Sequence, residues 1–331
     1  MKDKFLRQFV VILALFIILP WVLELSPQSP YYMKLVIQAL MWVIIGASWN
    51  LLAGFTGQVS FGHAIFFGTG AYVAGILQLH GGLSAWWGML LAGPIVTLIA
   101  FVIGWVCFRL RGPYFALATI AVGEIFHFMA KSNYLKDLTG GMTGIDFLPT
   151  WVQKMPYYYI ILGLAALCML AIWRVMRSKW GYYFVSIRED QDAAESMGIS
   201  AFKYKSLSLA ISAFFTGLAG AFYMNFEGYI DPEVVFNLHH VSIMAILVGI
   251  IGGVGTQWGP AVGAFIMVFV QELFRSSLFG MGPTWLSQTH AFVFGLLVIL
   301  VIRFMANGVV GDWGKVTGLF KSNKAAAEAG R

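Results

Sequence analysis

The chain has 331 residues, of which 59% are hydrophobic and only 11% charged, and its mean hydropathy is +0.78. This composition excludes a water-soluble domain of this length and is typical of a membrane protein with several spans. The formal net charge of +6 does not indicate a nucleic-acid partner, because the excess cations lie in short loops and near the C-terminus, where they set orientation and contact anionic lipid.

About ten apolar segments are candidates for crossing a bilayer, which takes about 20 mostly apolar residues per helix. Lipid offers the backbone no hydrogen bonds, so the sequence predicts an all-α polytopic membrane protein with one transmembrane domain over 1–305 and a cytoplasmic C-terminal tail over 306–331. No small-residue cleavage site follows the first segment, which is therefore expected to remain as a helix. The predicted spans lie near 9–23, 33–53, 59–79, 86–108, 113–131, 156–176, 206–226, 239–256, 259–274 and 288–305.

The distribution of Lys and Arg predicts the orientation of the chain. With a cytoplasmic N-terminus and ten alternating spans, only five of the 21 Lys and Arg residues fall outside, as the positive-inside rule requires. Both termini and a polar segment at 177–205 are then cytoplasmic, and a loop at 132–155 is outside. The outside cations are Lys34, Lys131, Lys136, Lys154 and Arg275.

Two apolar stretches, 52–62 and 249–263, are rich in glycine and other helix breakers. Broken or re-entrant helices of this kind line cavities in transporters, which makes both stretches candidates for the wall of a pathway. Their glycines also form small-xxx-small pairs, and close helix packing is the simpler role for most of them. The spacing of Gly54, Gly57 and Gly62 is similar to that of Gly252, Gly255 and Gly259, which leaves internal duplication and chance both open. The candidate pathway residues here are Asn50, Gln58, His63, Gly253 and Gly255.

Ionisable residues inside spans are costly, at least about 2.5 kcal/mol at a helix centre, so each needs a reason. Glu124 and His127 lie one turn apart on one face of the fifth predicted span. A structural pair and a role in the pathway or its gating are both open. Glu272 is expected to pair with Arg275 at spacing i,i+3.

Other polar and aromatic residues of the spans have a structural explanation as their default. Asn50 and His63 flank the first glycine-rich stretch, where an unwound backbone needs hydrogen-bond partners. Phe66, Phe67 and Tyr72 would suit a pathway for an apolar side chain, but aromatic residues of this kind are mostly packing.

Catalytic and metal motifs find no support in the sequence. His239 and His240 are adjacent and cannot face one ion from a helix, and neither His-Glu-x-x-His nor a Cys/His cluster is present. Gly314-Lys315-Val316 lacks the rest of a nucleotide-binding P-loop. We therefore expect a chain that is not an enzyme, binds no cofactor or metal and does not itself hydrolyse ATP. The two cysteines, in predicted spans, are interpreted as packing residues.

The polar segment at 177–205 carries the signals of a short helix near 189–197. Glu189, Asp190 and Asp192 suit the positive end of a helix dipole, and Gly198 stands at the position of a C-terminal cap. The cations around this helix would hold it at the headgroup level with its alanines facing outward or down. A docking element for a cytoplasmic partner and an ordinary solvated loop are both open from spacing alone.

Taken together, several motifs resemble the LivM-type permease subunits of branched-chain amino acid ABC transporters. Single glycine motifs are weak, but the order and spacing of this set are specific and cover nearly the whole chain. The motifs lie at 57–64 with 70–72, 114–119 with Glu124, 139–144, 181–200, 217–221, and 252–256 with 259–260.

The resemblance implies a permease in the bacterial inner membrane, surrounded by lipid and paired with a second, LivH-like membrane subunit. It also implies two cytoplasmic ATPase subunits, which hold ATP and Mg²⁺, and a periplasmic binding protein that delivers substrate. Glu227, Asp231 and Glu233 are candidates for docking this binding protein, although acidic loop residues are more often simply solvated. Asp192 stands where the coupling motif of such permeases usually has Glu, which keeps the charge. By this resemblance the ATPase-coupling residues are Arg188, Glu189, Asp192, Ala193, Ala194, Met197 and Gly198.

Other functions remain open beside import of branched-chain or related hydrophobic amino acids. Permeases of this type for urea, short amides or aromatic acids resemble one another. A proton-coupled secondary transporter that uses Glu124 and His127 is a different class of hypothesis, and an intramembrane enzyme comes third.

Overall fold

The structure, a computed structural model, describes residues 2–147, 150–275, 295, 303 and 308–312, and all structural statements below concern these residues. Helices dominate it. Two π-helical segments, Leu51–Phe55 and Leu238–Ile243, interrupt the regular α-helical pattern, and a short helix lies at Gly308–Gly311. The main helices are α1 (Lys2–Glu24), α2 (Ser29–Asn50), α3 (His63–Leu79), α4 (Ala85–Cys107), α5 (Pro113–Lys131), α6 (Lys136–Thr139), α7 (Met155–Met176), α8 (Lys179–Glu189), α9 (Gln191–Ser196), α10 (Ala201–Glu227), α11 (Pro232–Val235), α12 (Met244–Gly252) and α13 (Gly259–Arg275).

The predicted all-α membrane fold is confirmed. Seven helical segments of the described chain are long and apolar enough to cross a membrane, and α3 and α13 are shorter apolar helices. The tenth predicted span, 288–305, and most of the tail, 306–331, lie outside the described residues, so the count of ten spans stays a prediction. The prediction for the third span was wrong at its start, because the backbone at 57–62 is non-helical and α3 begins only at His63.

The centre of the molecule is formed by α2, α3 and α10, which are largely buried and pack against α4, α7, α12 and α13. Close backbone approach between α3 and α10 depends on glycine. A Cβ atom at Gly220 would lie 1.9 Å from the Phe67 carbonyl oxygen, and one at Gly70 would lie 2.1 Å from the Gly217 carbonyl oxygen. These glycines therefore let two spanning helices touch along their backbones.

The ends of the helices lie at two opposite sides of the bundle, which we call poles, and contacts between loops distant in sequence show which ends lie together. At one pole, which we call the α9 pole, Arg188 on α8 contacts Gly54 after α2, and Arg111 after α4 contacts Asp192. At the opposite Lys34 pole, Lys34 pairs with Glu227 at the end of α10. This grouping follows the alternation that the span order predicts.

A small two-stranded sheet ties two loops together at the Lys34 pole. Strand β1 (Ile145–Asp146) in the predicted outer loop pairs antiparallel with β2 (Tyr229–Ile230) after α10, with Ile145 opposite Ile230. The pairing connects the 132–155 loop to the segment that leads into α11.

Candidate functional site

The polar segment folds as two helices, α8 and α9, with Asp190 between them. Asp190 is the N-cap of α9, and its carboxylate accepts a hydrogen bond from the Ala193 backbone N–H at 3.0 Å. The predicted helix at 189–197 was therefore wrong at its start, because Glu189 is the last residue of α8. At the other end Gly198 has φ +83°, a left-handed conformation that suits glycine after a helix.

Of the two alanines of α9 one is buried and one is exposed, which corrects the expectation that both face outward or down. Ala194 is buried, 5% exposed, against Ile187 and Ala201. Ala193 is exposed, and Met197 is 83% exposed. An exposed methionine beside a small residue forms an adaptable apolar surface that a partner can cover.

Charged and polar side chains hold α9 to the helix bundle. Arg111, in the α4–α5 loop, donates to the Asp192 carboxylate at 2.7 Å and lies 3.7 Å from Glu195. Lys205 on α10 donates to Gln191 at 2.6 Å and is buried, whereas the cations around this helix, Lys205 among them, were expected at the headgroup level. Sequence reasoning counted both cations for orientation but missed these contacts, which depend on the fold.

Arg188 connects α8 to the first glycine-rich stretch. Its Nη1 donates to the Gly54 carbonyl oxygen at 3.0 Å, and its Nε and Nη2 donate to the neighbouring Glu189 carboxylate. The side chain passes so close to Gly57 that a Cβ atom there would lie 2.9 Å from Arg188 Cγ. The Arg188 guanidinium also lies beside Gly255 of the second glycine-rich stretch.

The two glycine-rich stretches meet at one junction, with Asn50 between them. Asn50 accepts from the Gly255 backbone N–H at 2.7 Å and donates to the Thr256 carbonyl oxygen at 2.9 Å. The π-helix Leu51–Phe55 follows Asn50 directly, and Gly253 ends α12, so both helices are broken at this level. We call these contacts, together with Arg188, the glycine junction.

The non-helical backbone at 57–62 finds hydrogen-bond partners on other elements. Trp49 Nε1 donates to the Ser60 carbonyl oxygen at 2.9 Å, and the Phe61 N–H donates to the Thr119 hydroxyl at 3.1 Å. These hydrogen bonds pair backbone groups of an unwound segment that lipid could not pair.

His63 and Gln58 take part in this local structure. His63 is buried, and its Nε2 lies 2.8 Å from the Ser212 hydroxyl on α10. Gln58 Nε2 donates to the Thr56 carbonyl oxygen at 3.4 Å. Both contacts fit the structural explanation that was the default for His63, and a role of either residue in a pathway stays a prediction.

Glu124 and His127 lie close together, as their spacing predicts, toward the Lys34 pole. His127 is nearly buried, with Nδ1 3.5 Å from Glu124 and Nε2 3.4 Å from Glu233. Lys131 also pairs with Glu233. The cluster joins α5 to α11, which is a structural contact that the sequence did not indicate.

The aromatic candidates differ in their surroundings. Phe66 is fully buried in the core, and Tyr72 stacks on Phe236 with ring centroids 5.7 Å apart. Only Phe67 of the three borders open space, a cleft at the Lys34 pole whose described lining also includes Tyr223. Packing therefore explains Phe66 and Tyr72.

Two remaining predictions concern Glu272 and the histidine pair. Glu272 accepts a hydrogen bond from the Tyr31 hydroxyl, while the side chain of its predicted partner Arg275 lies outside the described residues. In the part of the chain that the structure describes, no group of three metal-ligating side chains comes together. His239 and His240 are exposed at the start of the second π-helix.

A bundle of spanning helices with two broken helices and a helical segment standing at one pole defines a polytopic membrane permease. The chain belongs to the family described as branched-chain amino acid transport system / permease component, whose model matches residues 31–303. The resemblance to LivM-type permeases is confirmed.

Individual relatives agree with this assignment. The chain is similar to the high-affinity branched-chain amino acid transport system permease protein LivM of Salmonella typhimurium, 28% identical over 81% of this chain and 69% of the relative. LivM of Escherichia coli is 28% identical over 71% of this chain, and that alignment spans 62% of the relative's length. The autoinducer 2 import system permease protein LsrC of an Enterobacter species is 25% identical over 91% of this chain and 86% of the relative. No solved structure matches the chain.

Proposed function

We propose that this chain is the membrane-spanning subunit of an ATP-driven importer of branched-chain or related hydrophobic amino acids in the bacterial inner membrane. The α9 pole faces the cytoplasm, with both termini, and the Lys34 pole faces outward. The chain itself is a transport subunit rather than an enzyme and binds no cofactor. Its relatives include permeases named for branched-chain amino acids and for autoinducer 2, so the substrate is the finer part of this proposal.

The observation that carries the proposal is the way α9 is built. It presents Ala193 and Met197 to solvent, while three side chains, Arg188, Arg111 and Lys205, connect the α8–α9 unit to separate parts of the bundle. A partner that pushes on α9 therefore moves the glycine junction, the α4–α5 loop and α10 together. Such a connection between a docking face and broken helices is what coupling of two distant sites requires.

The family and the exposed face of α9 support the following set of partners. Two cytoplasmic ATPase subunits hold ATP and Mg²⁺, and one docks on α9 of this chain. A second, LivH-like permease completes the membrane part, and a periplasmic binding protein delivers substrate to acidic residues at the Lys34 pole, Glu227, Asp231 and Glu233. Asp231 caps α11, and Glu233 contacts His127, so both also stabilise the fold.

Reconstituted uptake tests the proposal. The complex of this chain with its second permease and ATPases, placed in proteoliposomes with loaded binding protein, is expected to accumulate L-leucine only when ATP is supplied. Uptake that does not depend on ATP would contradict the energy source. Uptake of an autoinducer-type sugar derivative but not of L-leucine would contradict the substrate.

A proton-coupled transporter using Glu124 and His127 is the alternative class. These residues cluster with Glu233 toward the Lys34 pole, opposite the pole of α9. The importer account predicts that an uncoupler does not reduce uptake at constant ATP, in the wild-type complex and in Glu124→Gln alike. Loss of uptake on addition of the uncoupler, with ATP held constant, would favour the alternative.

A further inference from the structure

A cleft of about 810 Å³ opens at the Lys34 pole between helices from both halves of the chain. Its described lining comes from α2, the second π-helix, α12 and α13, with single residues from α3, α10 and α11. Along α2 the lining runs from Lys34 to Trp42, which is about 12 Å at 1.5 Å per residue. The cleft therefore reaches from one pole toward the middle of the bundle, and its volume suits a small-molecule site.

The charged residues of the described cleft lining, histidines aside, are Lys34 and Glu272, and Glu227 lies beside this lining as the ion-pair partner of Lys34. Lys34 Nζ lies 3.0 Å from Glu227 Oε2, and the two side chains remain 41% and 24% exposed. A ligand can therefore reach each charged group. Gln38, Gln271 and the exposed His239 add neutral hydrogen-bonding groups to the lining.

A second cation strengthens the positive side of the mouth. Lys154 lies in the loop before α7 and donates to the Pro30 carbonyl oxygen at 2.9 Å. Burial lowers the pKa of Lys154, the positive charge of nearby Lys34 lowers it further, and the Glu227 carboxylate raises it. Two ammonium groups thus lie near one another beside the Glu227 carboxylate, and an anionic group of a ligand finds its cations on the lysine side of this cluster.

The deeper lining is apolar. Trp42, Phe67 and Leu247 lie there, with Met244 and Val268 beside them. Apolar walls below a charged mouth favour a ligand with a charged end and an apolar end. A polyhydroxylated ligand such as a sugar would leave its hydroxyl groups without partners at this depth, which costs free energy.

From this cleft we propose that the chain has its own substrate site for an α-amino acid with an aliphatic side chain. Lys34 faces the carboxylate, Glu227 faces the ammonium group, and the side chain enters the apolar floor around Trp42 and Leu247. The ammonium and carboxylate groups of an α-amino acid are attached to the same carbon. They can therefore lie beside the two opposite charges of the Lys34–Glu227 ion pair at the same time. The inference rests on the proposed function and deepens it, because it assigns part of the choice of substrate to the permease.

Charge removal tests the mouth of the cleft. In the reconstituted complex with loaded binding protein, Lys34→Met and Glu227→Gln are each expected to lower L-leucine uptake at least about tenfold, the size expected for one lost hydrogen bond to a charged group. Lys136→Met, which removes a cation at the same pole outside the described cleft lining, is the control. Assembly of the complex and its basal ATPase rate check that each variant is folded, and capture of the loaded binding protein by the proteoliposomes checks that Glu227→Gln does not act through the docking proposed for Glu227.

A charge swap separates recognition from a structural ion pair. Lys34→Glu combined with Glu227→Lys keeps an ion pair but reverses its direction, so uptake is expected to stay low. Recovery of uptake in the swapped variant, or single variants that equal Lys136→Met, would overturn the site. If the wild-type complex shows no ATP-dependent L-leucine uptake at all, the proposed function itself fails, which is a different outcome.

A substitution in the floor tests the apolar part independently. Leu247→Trp narrows the lower cleft and is expected to reduce uptake of L-leucine more than uptake of L-alanine, whose side chain is smaller. Equal reductions for the two amino acids would contradict a side-chain site at this floor.

Discussion

Replacing Arg188 by methionine is expected to lower ATP-driven uptake by roughly tenfold to a hundredfold while assembly with the ATPase subunits is retained. The magnitude corresponds to the loss of hydrogen bonds made by a charged group, about 1.5 to 3 kcal/mol. Arg188 Nη1 donates to Gly54 at 3.0 Å, and the side chain packs along Gly57. Without it, α8 loses its polar connection to the glycine junction.

Lys179→Met is the matched control for this prediction. Lys179 lies on the same helix, is exposed, and loses the same charge on substitution. Uptake and ATPase activity are measured side by side in proteoliposomes, and the expected signature is ATP hydrolysis that no longer drives uptake. Equal uptake by the two variants would show that Arg188 does not couple the polar segment to the broken helices.

Gly220→Ala is expected to destabilise the folded chain strongly. The new methyl carbon would lie 1.9 Å from the Phe67 carbonyl oxygen on α3, a backbone atom that cannot move without shifting the helix. Overpacking of this kind typically costs about 1 to 3 kcal/mol, and a clash with backbone belongs at the upper end. Thermal unfolding of the purified chain in detergent measures the effect as a lower midpoint or as loss of folded protein.

Gly163→Ala controls for the loss of a helical glycine. Gly163 lies on α7, and among the described residues no heavy atom would come within 4 Å of an added Cβ. Because alanine favours the helix by about 1 kcal/mol over glycine, this variant is expected to be as stable as wild type or more so. A Gly220→Ala chain as stable as Gly163→Ala would mean that α3 and α10 do not cross at this glycine.

Regular spans could be predicted well because their signals are local. The predicted span 113–131 coincides with α5, which has Pro113 in its first turn and Lys131 in its last. Apolar runs likewise located α4 and α7 to within a residue at each end. In these helices the apolar composition and the residues at the ends are enough to locate the helix from the sequence.

The glycine-rich stretches indicated where two helices are broken, but they did not indicate the geometry of the breaks. The backbone at 57–62 stays non-helical, and Trp49 and Thr119, which lie on two helices, supply hydrogen bonds to it. Asn50 joins the two glycine-rich stretches across about 200 residues of sequence. Partners at such distances leave no local pattern.

The contacts of the candidate site residues were likewise not predictable, because they join residues that are distant in sequence. The helix of the polar segment was predicted, yet the N-cap at Asp190 and the buried side of Ala194 depend on how α9 packs against α8 and α10. Of the residues that the sequence suggested for a pathway, the described lining of the cleft includes only Phe67. Lys34 and Glu227 are 193 positions apart, and only the packing of α2 against α10 brings them together.

The central claim is that an ATPase subunit docks on the exposed face of α9, and two methionines allow a direct test. Met197 on this face is 83% exposed, and Met142 at the Lys34 pole is 78% exposed. Co-purification of the ATPase with tagged Met197→Arg and Met142→Arg chains measures docking. We expect loss of the ATPase from Met197→Arg and full retention by Met142→Arg, whereas retention by both variants would contradict docking at α9.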